Sequence, residues 1–105
     1  MPAGYLSYSA TAILQAIANG YQYGFDIMDV TGLPSGTVYP ALRRMEDGGL
    51  LTAKWEKPAL AQREQRPPRR YYEITRLGTH ALTDALARYR QISHASLPRP
   101  VPRKA

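Results

Sequence analysis

The chain has 105 residues, no cysteine, a formal net charge of +6 and a pI near 9.9. That length suffices for one domain around a single core, and the lack of cysteine excludes a disulfide framework, a thiolate nucleophile and a zinc–thiolate site. It also suits a reducing cytoplasm, while MPAGYLSYSA lacks the basic start of a signal peptide and no apolar run approaches the roughly 18 residues that would cross a membrane.

Charge is unevenly placed. Residues 1–53 carry two basic and four acidic side chains, residues 54–105 twelve basic and four acidic. Such asymmetry favours a polyanionic partner, nucleic acid or an anionic membrane surface. The plainer reading is a solvated basic surface.

Residues 1–8 read as an arm or a first helical turn. Ser9 is the expected N-cap of a helix from Ala10 to Asn19, with Ala10, Ile13, Leu14 and Ile17 on its apolar face and Gly20 as its stop. GYQYG, residues 20–24, is a turn. A short second helix follows from Gly24 to Thr31 and ends at Gly32.

Residues 33–50, LPSGTVYPALRRMEDGGL, form the stretch around which the rest is organised. Val38, Leu42 and Met45 recur at helical spacing and predict one buried face. Tyr39 and Arg43, four apart, point elsewhere, and Arg44 extends that polar side. Two helices joined by a short turn make a helix-turn-helix, whose second helix enters the major groove. The competing reading is an ordinary amphipathic surface helix.

After Gly48-Gly49 the period changes to two. Leu51, Ala53 and Trp55 alternate with Thr52, Lys54 and Glu56, which predicts a strand with one buried face and Trp55 as an anchor against the core. Residues 58–68, PALAQREQRPP, read as a loop, and Arg70 to Ile74 as the returning strand. Lys54, Lys57, Arg63, Arg66, Arg69 and Arg70 make this hairpin basic. Thr75 then caps a last helix from Arg76 to Ser93 or His94, with Leu77, Leu82, Leu86, Tyr89 and Ile92 as its stripe. Eighteen residues span roughly 27 Å, so part of this helix is expected to pair with a second copy. The tail, residues 95–105, with its prolines and basic residues, reads as disordered or as a weak phosphate-contacting arm.

Helix–helix–helix–strand–strand is the order of a winged helix-turn-helix, an α+β, mainly α fold. The chain resembles the PadR-like transcriptional regulators in YGFDIM (23–28), SGTVYPALRRME (35–46), GGLL (48–51), KWE (54–56), RRYYEIT (69–75) and LG (77–78). TVYPAL followed by RR is the most specific piece. Two departures stand out. Pro34-Ser35 replaces the Ser-Pro common before Gly-Thr, and eleven residues separate Gly24 from Gly36, which predicts a shortened second helix.

The resemblance implies a homodimeric repressor on double-stranded DNA. Residues 1–75 would be the DNA-binding domain, 76–94 a dimerisation helix and 95–105 the tail. Dimerisation by one C-terminal helix against the partner's N-terminal helix would use Tyr5, Leu6, Ile13, Ile17, Leu82, Leu86, Tyr89 and Ile92.

Ser35, Gly36 and Thr37 at the helix start suit a phosphate or a plain N-cap. Pro40 removes a backbone bond from the first turns. Tyr39, Arg43 and Arg44 are the groove candidates, and an arginine there reads guanine or holds a phosphate. Lys54, Arg66, Arg69 and Arg70 are the wing candidates, for phosphates or the minor groove, with solvated loop charge as the plainer reading. A small aromatic effector near Tyr5, Tyr8 or Tyr89 is the further partner considered. His80 and His94 lack partners at metal spacing, so no metal, cofactor or catalytic set is expected. The runner-up is a winged helix that binds a partner protein rather than DNA, and an RNA-binding basic domain is the third reading.

Overall fold

A computed structural model describes residues 6–89. Its elements are α1 (Tyr8–Ala18), α2 (Gly24–Thr31), α3 (Ser35–Asp47), β1 (Leu51–Trp55), α4 (Pro58–Arg63), β2 (Arg70–Ile74) and α5 (Arg76–Arg88). The fold is mainly helical with one two-stranded antiparallel sheet.

α1 starts two residues earlier than its periodicity suggested. Ser7, not Ser9, is the N-cap, and its hydroxyl accepts from the Ala10 N–H at 3.0 Å. The Thr11 hydroxyl donates to the Ser7 carbonyl at 2.8 Å, which lets a buried threonine sit in the core without an unmet polar group. α1 is the central helix: Ile13, Leu14, Ala16 and Ile17 are buried, and α2, α3, α5 and β2 all pack on it.

α2 runs over the expected Gly24–Thr31 and stops at Gly32. α3 begins with Ser35 as its first helical residue, so Pro34 holds the cap position and no side chain caps the end. The helix continues through Pro40 to Asp47. Val38, Leu42 and Met45 are buried as their spacing requires, together with Ala41. Gly49, at φ 81°, then turns the chain into β1, a conformation open to glycine at little cost.

The register pairs Leu51 with Ile74, Ala53 with Tyr72 and Trp55 with Arg70. Directly opposite residues share a sheet face, and this face meets the core at Leu51 and Tyr72. Trp55 does not anchor the hairpin: it is 65% exposed. It lies four residues beyond Leu51, where the helical core no longer reaches.

Residues 58–68 are not wholly a loop. Pro58–Arg63 forms α4, with proline at its first turn and Ala61 buried. The prolines that rule out a central strand are compatible with a helix start, where the missing N–H has no partner to lose.

Thr75 caps α5 as expected, its hydroxyl accepting from the Gly78 N–H at 3.0 Å. The predicted continuation to Ser93 or His94 and the tail lie outside the described residues, as do Tyr5 and Ile92 of the expected dimer surface. The other residues expected there are largely occupied within the protomer. Leu6, Ile13, Ile17 and Leu82 are buried, and Leu86 and Tyr89 pack on the same core. The Tyr89 hydroxyl also donates to the Leu6 carbonyl at 2.9 Å. The side chains that made α1 and α5 look sticky are satisfied mainly by each other. Among the described residues no helix is long and apolar enough to cross a membrane.

Candidate nucleic-acid interface

The buried stripe of α3 fixes which of its residues can meet a partner. Ser35, Gly36, Tyr39, Pro40, Arg43 and Arg44 are exposed, and Thr37 is half-buried. These seven residues do not form one face. Tyr39 turns toward the sheet, where it lines a depression of about 210 Å³ with Tyr23, Gly24, Phe25, Arg69, Arg70 and Tyr72. Arg43 lies on this side as well, close enough to act on the Tyr72 hydroxyl. Burial pushes that hydroxyl up, while Arg70 and then Arg43 pull it down. Arg44 lies elsewhere, on a groove of about 570 Å³ between α1, α3 and α5. Adjacent helical residues are separated by about 100° of rotation, so two neighbouring arginines cannot both point into one groove floor.

Gly24 explains how Tyr39 is placed. A Cβ on Gly24 would stand 2.6 Å from the Tyr39 ring and hydroxyl. The α2 backbone and the tyrosine of α3 therefore touch directly, and any side chain at position 24 would push the ring away. Spacing alone cannot reveal this contact, because it joins two different helices.

The wing residues divide by their partners. Arg70 donates to Glu46 at 2.9 Å, which ties β2 to the C-terminal half of α3. Its guanidinium also lies 5.7 Å from the centre of the Trp55 ring. The Arg69 guanidinium lies 5.4 Å from the Tyr23 ring. Lys54 is exposed and meets Glu73 at 3.4 Å, a contact of little energetic weight at the surface.

Arg66 is not a free wing cation. Its guanidinium takes both oxygens of Glu56, one of them at 2.9 Å, and its side chain is only 20% exposed. The Arg69 N–H adds a third bond to the same carboxylate at 3.2 Å, and the Glu56 N–H donates to the Arg69 carbonyl at 2.7 Å. Arg66, expected on phosphates, thus closes the segment between β1 and β2. Glu56, which the alternation puts on the outer side of the strand, is buried and is the centre of this closure. Its partner lies ten residues away across α4, beyond any local pattern.

The Arg66 contact holds the Glu56 carboxyl at about 2, below its ordinary 4.5, with the Arg69 N–H acting in the same direction against burial. A carboxyl with a lowered folded-state value stabilises the fold fully above about pH 4.5, and that contribution fades as pH falls toward 2. Glu56→Gln is expected to destabilise the protein at neutral pH and to flatten this part of its acid transition. Melting followed between pH 7 and pH 2 by circular dichroism checks both effects.

His80 is exposed on α5, and His94 lies outside the described residues. Tyr8 and Tyr89, two of the tyrosines considered for an effector, meet edge to face at 5.5 Å.

The pattern of the transcriptional regulator PadR-like family matches residues 13–84. A PadR family transcription regulator from Clostridium difficile superposes with a TM-score of 0.66 at 26% identity, covering 83% of this chain and 92% of that one. A PadR-like transcription factor from Bacteroides fragilis gives 0.63 at 26%, covering 80% and 82%. Bordetella bronchiseptica BpsR, whose DNA binding is regulated by 6-hydroxynicotinic acid, shares the fold alone at 18% identity, with a TM-score of 0.63 over 93% and 72%. A search of curated protein sequences returned no match. α2, α3 and the basic hairpin lie inside the matched span, and the chain belongs to the PadR-like family of transcriptional regulators, DNA-binding proteins rather than enzymes.

Proposed function

We propose that the protein is a cytoplasmic, homodimeric repressor of an inverted-repeat operator, with residues 1–75 as the DNA-binding part and 76–94 as the dimerisation helix. Each protomer lays residues 35–45 in a major groove, and half-sites stand about one helical turn, ~10 bp, apart. One observation carries this reading: Tyr39 and Arg43 of α3 share a side with Arg69 and Arg70 of the wing. The buried Val38, Leu42 and Met45 hold that surface rigidly from behind.

Ser35, Gly36 and Thr37 offer hydroxyls and open N–H groups at a helix start with no capping side chain. They suit a phosphate beside the reading face. Pro40 shapes the first turns without a backbone donor of its own. Lys54, Arg69 and Arg70 are assigned to the flanking backbone or minor groove. Arg66 is left to the fold. The partner protomer is assigned to the side of α1 and α5, where Tyr8 and Leu77 are 50% and 56% exposed. A small aromatic effector, as the regulation of BpsR by 6-hydroxynicotinic acid suggests by analogy, is the proposed inducer.

Arg43 and Arg44 test this reading separately. Arg43→Ala is expected to lose about 1–3 kcal/mol of discrimination between operator and scrambled duplex. Arg44→Ala, on the groove toward α5, should weaken both duplexes alike and by less. Competition gel shifts with the two duplexes measure the difference. Unchanged discrimination in Arg43→Ala would move the reading surface off α3.

A further inference from the structure

Trp55 is the chain's only tryptophan, and it is exposed at the end of a sheet face that is buried farther along at Leu51 and Tyr72. Single exposed apolar side chains are ordinary at a protein surface, and Phe25 is more open still at 77%; what sets Trp55 apart is the charge gathered around it. Three observations indicate its partner. The ring stands on the sheet face that packs against the helices, past the end of the core, opposite Arg70 in the ladder. Arg70 lies over the ring and simultaneously holds Glu46, so the indole is linked through one guanidinium to the reading helix. Lys54 and Lys57, both exposed, flank it in the chain.

From this we infer that Trp55 is a contact to duplex DNA, packing its ring on the sugar and groove wall beside the major groove that α3 occupies. This inference rests on the DNA-binding reading and extends it to a residue outside the basic set. The surrounding cations draw in phosphates, and the indole supplies an apolar surface that the deoxyribose and base edges can cover. Arg70 restrains the ring before binding, which reduces the ordering cost on contact. It also neutralises Glu46, whose carboxylate would otherwise repel the same strand.

The experiment uses the full chain and a labelled random-sequence duplex of about 30 base pairs, long enough for two half-sites, at low salt where sequence-independent contacts hold. Anisotropy of the label reports binding, and acrylamide quenching of the lone tryptophan reports its cover. Binding should reduce the quenching constant, and Trp55→Ala should weaken binding by up to about tenfold, the scale of covering part of one aromatic side chain. Its salt slope should match the parent's, because no phosphate contact is removed. Trp55→Phe should recover part of the affinity. Binding with unchanged quenching and an unaffected Trp55→Ala would overturn the inference while leaving the DNA reading intact. A melting point lowered in step with the lost affinity would return Trp55 to the fold and overturn it equally. Failure of the parent chain to raise the anisotropy at all would remove both readings.

Discussion

Raising the salt from 50 to 200 mM is expected to weaken duplex binding by about a thousandfold or more, the loss typical of six to ten phosphate contacts. The wing brings Lys54, Lys57, Arg69 and Arg70 to exposed positions in each protomer, so two protomers reach that range. Each neutralised phosphate releases counterions, and the release becomes less favourable as bulk salt rises. Arg66 should not contribute, because Glu56 already takes its guanidinium. Two measurements therefore bear on the same claim: a plot of log affinity against log salt, and the same plot for Arg69→Ala. The parent slope should be steep, and the variant slope shallower by about one. A flat parent slope would leave the basic half of the chain with a task other than DNA.

Gly78→Ala is expected to destabilise the fold by about 3 kcal/mol, the upper end for forcing one methyl into a filled space. A Cβ at position 78 would collide with the Leu50 carbonyl oxygen and stand 2.8 Å from Cγ1 of Ile74. The obstacle is backbone and cannot swing aside. That carbonyl is itself fixed, accepting from the Thr75 N–H at 3.0 Å, while the Thr75 hydroxyl donates to the Gly49 carbonyl at 2.7 Å. The first turn of α5 is thereby joined to the turn between α3 and β1, so displacing it disturbs the reading helix as well. Gly36→Ala is the informative contrast. No atom lies within 4 Å of a Cβ there, and alanine favours a helix by roughly 0.5–1 kcal/mol. This variant should melt slightly higher, yet bind DNA less well if backbone and duplex meet closely at Gly36. Urea unfolding of both variants, followed by far-ultraviolet circular dichroism, measures the opposite signs. Gly78→Ala at parental stability would mean that α5 can lift away from Leu50 without cost.

Several features of this protein could be read from its residues because their causes are local. The burial of Val38, Leu42 and Met45 follows from helical repeat, the end of α2 at Gly32 from a residue that tolerates left-handed backbone, and the start of α5 from a threonine hydroxyl before a helix. The two strands of the hairpin follow from alternation, and the membership of the family from short motifs between residues 23 and 78, inside the matched span 13–84. Tertiary structure decided what depends on meetings between distant segments. Trp55 looked like an anchor because tryptophan is large and apolar, but its place in the ladder carries it past the core. Arg66 looked like a free cation because Glu56 is ten residues away, and only the fold of α4 brings them together. Arg43 and Arg44 looked like a pair because they are adjacent, but one helical step of about 100° turns them toward different neighbours, Arg43 toward the sheet and Arg44 toward α5. Ile13 and Ile17 looked available to a partner because periodicity marks an apolar face without saying which chain covers it. A pattern in sequence specifies which side of an element avoids water; only the packed structure determines what that side meets.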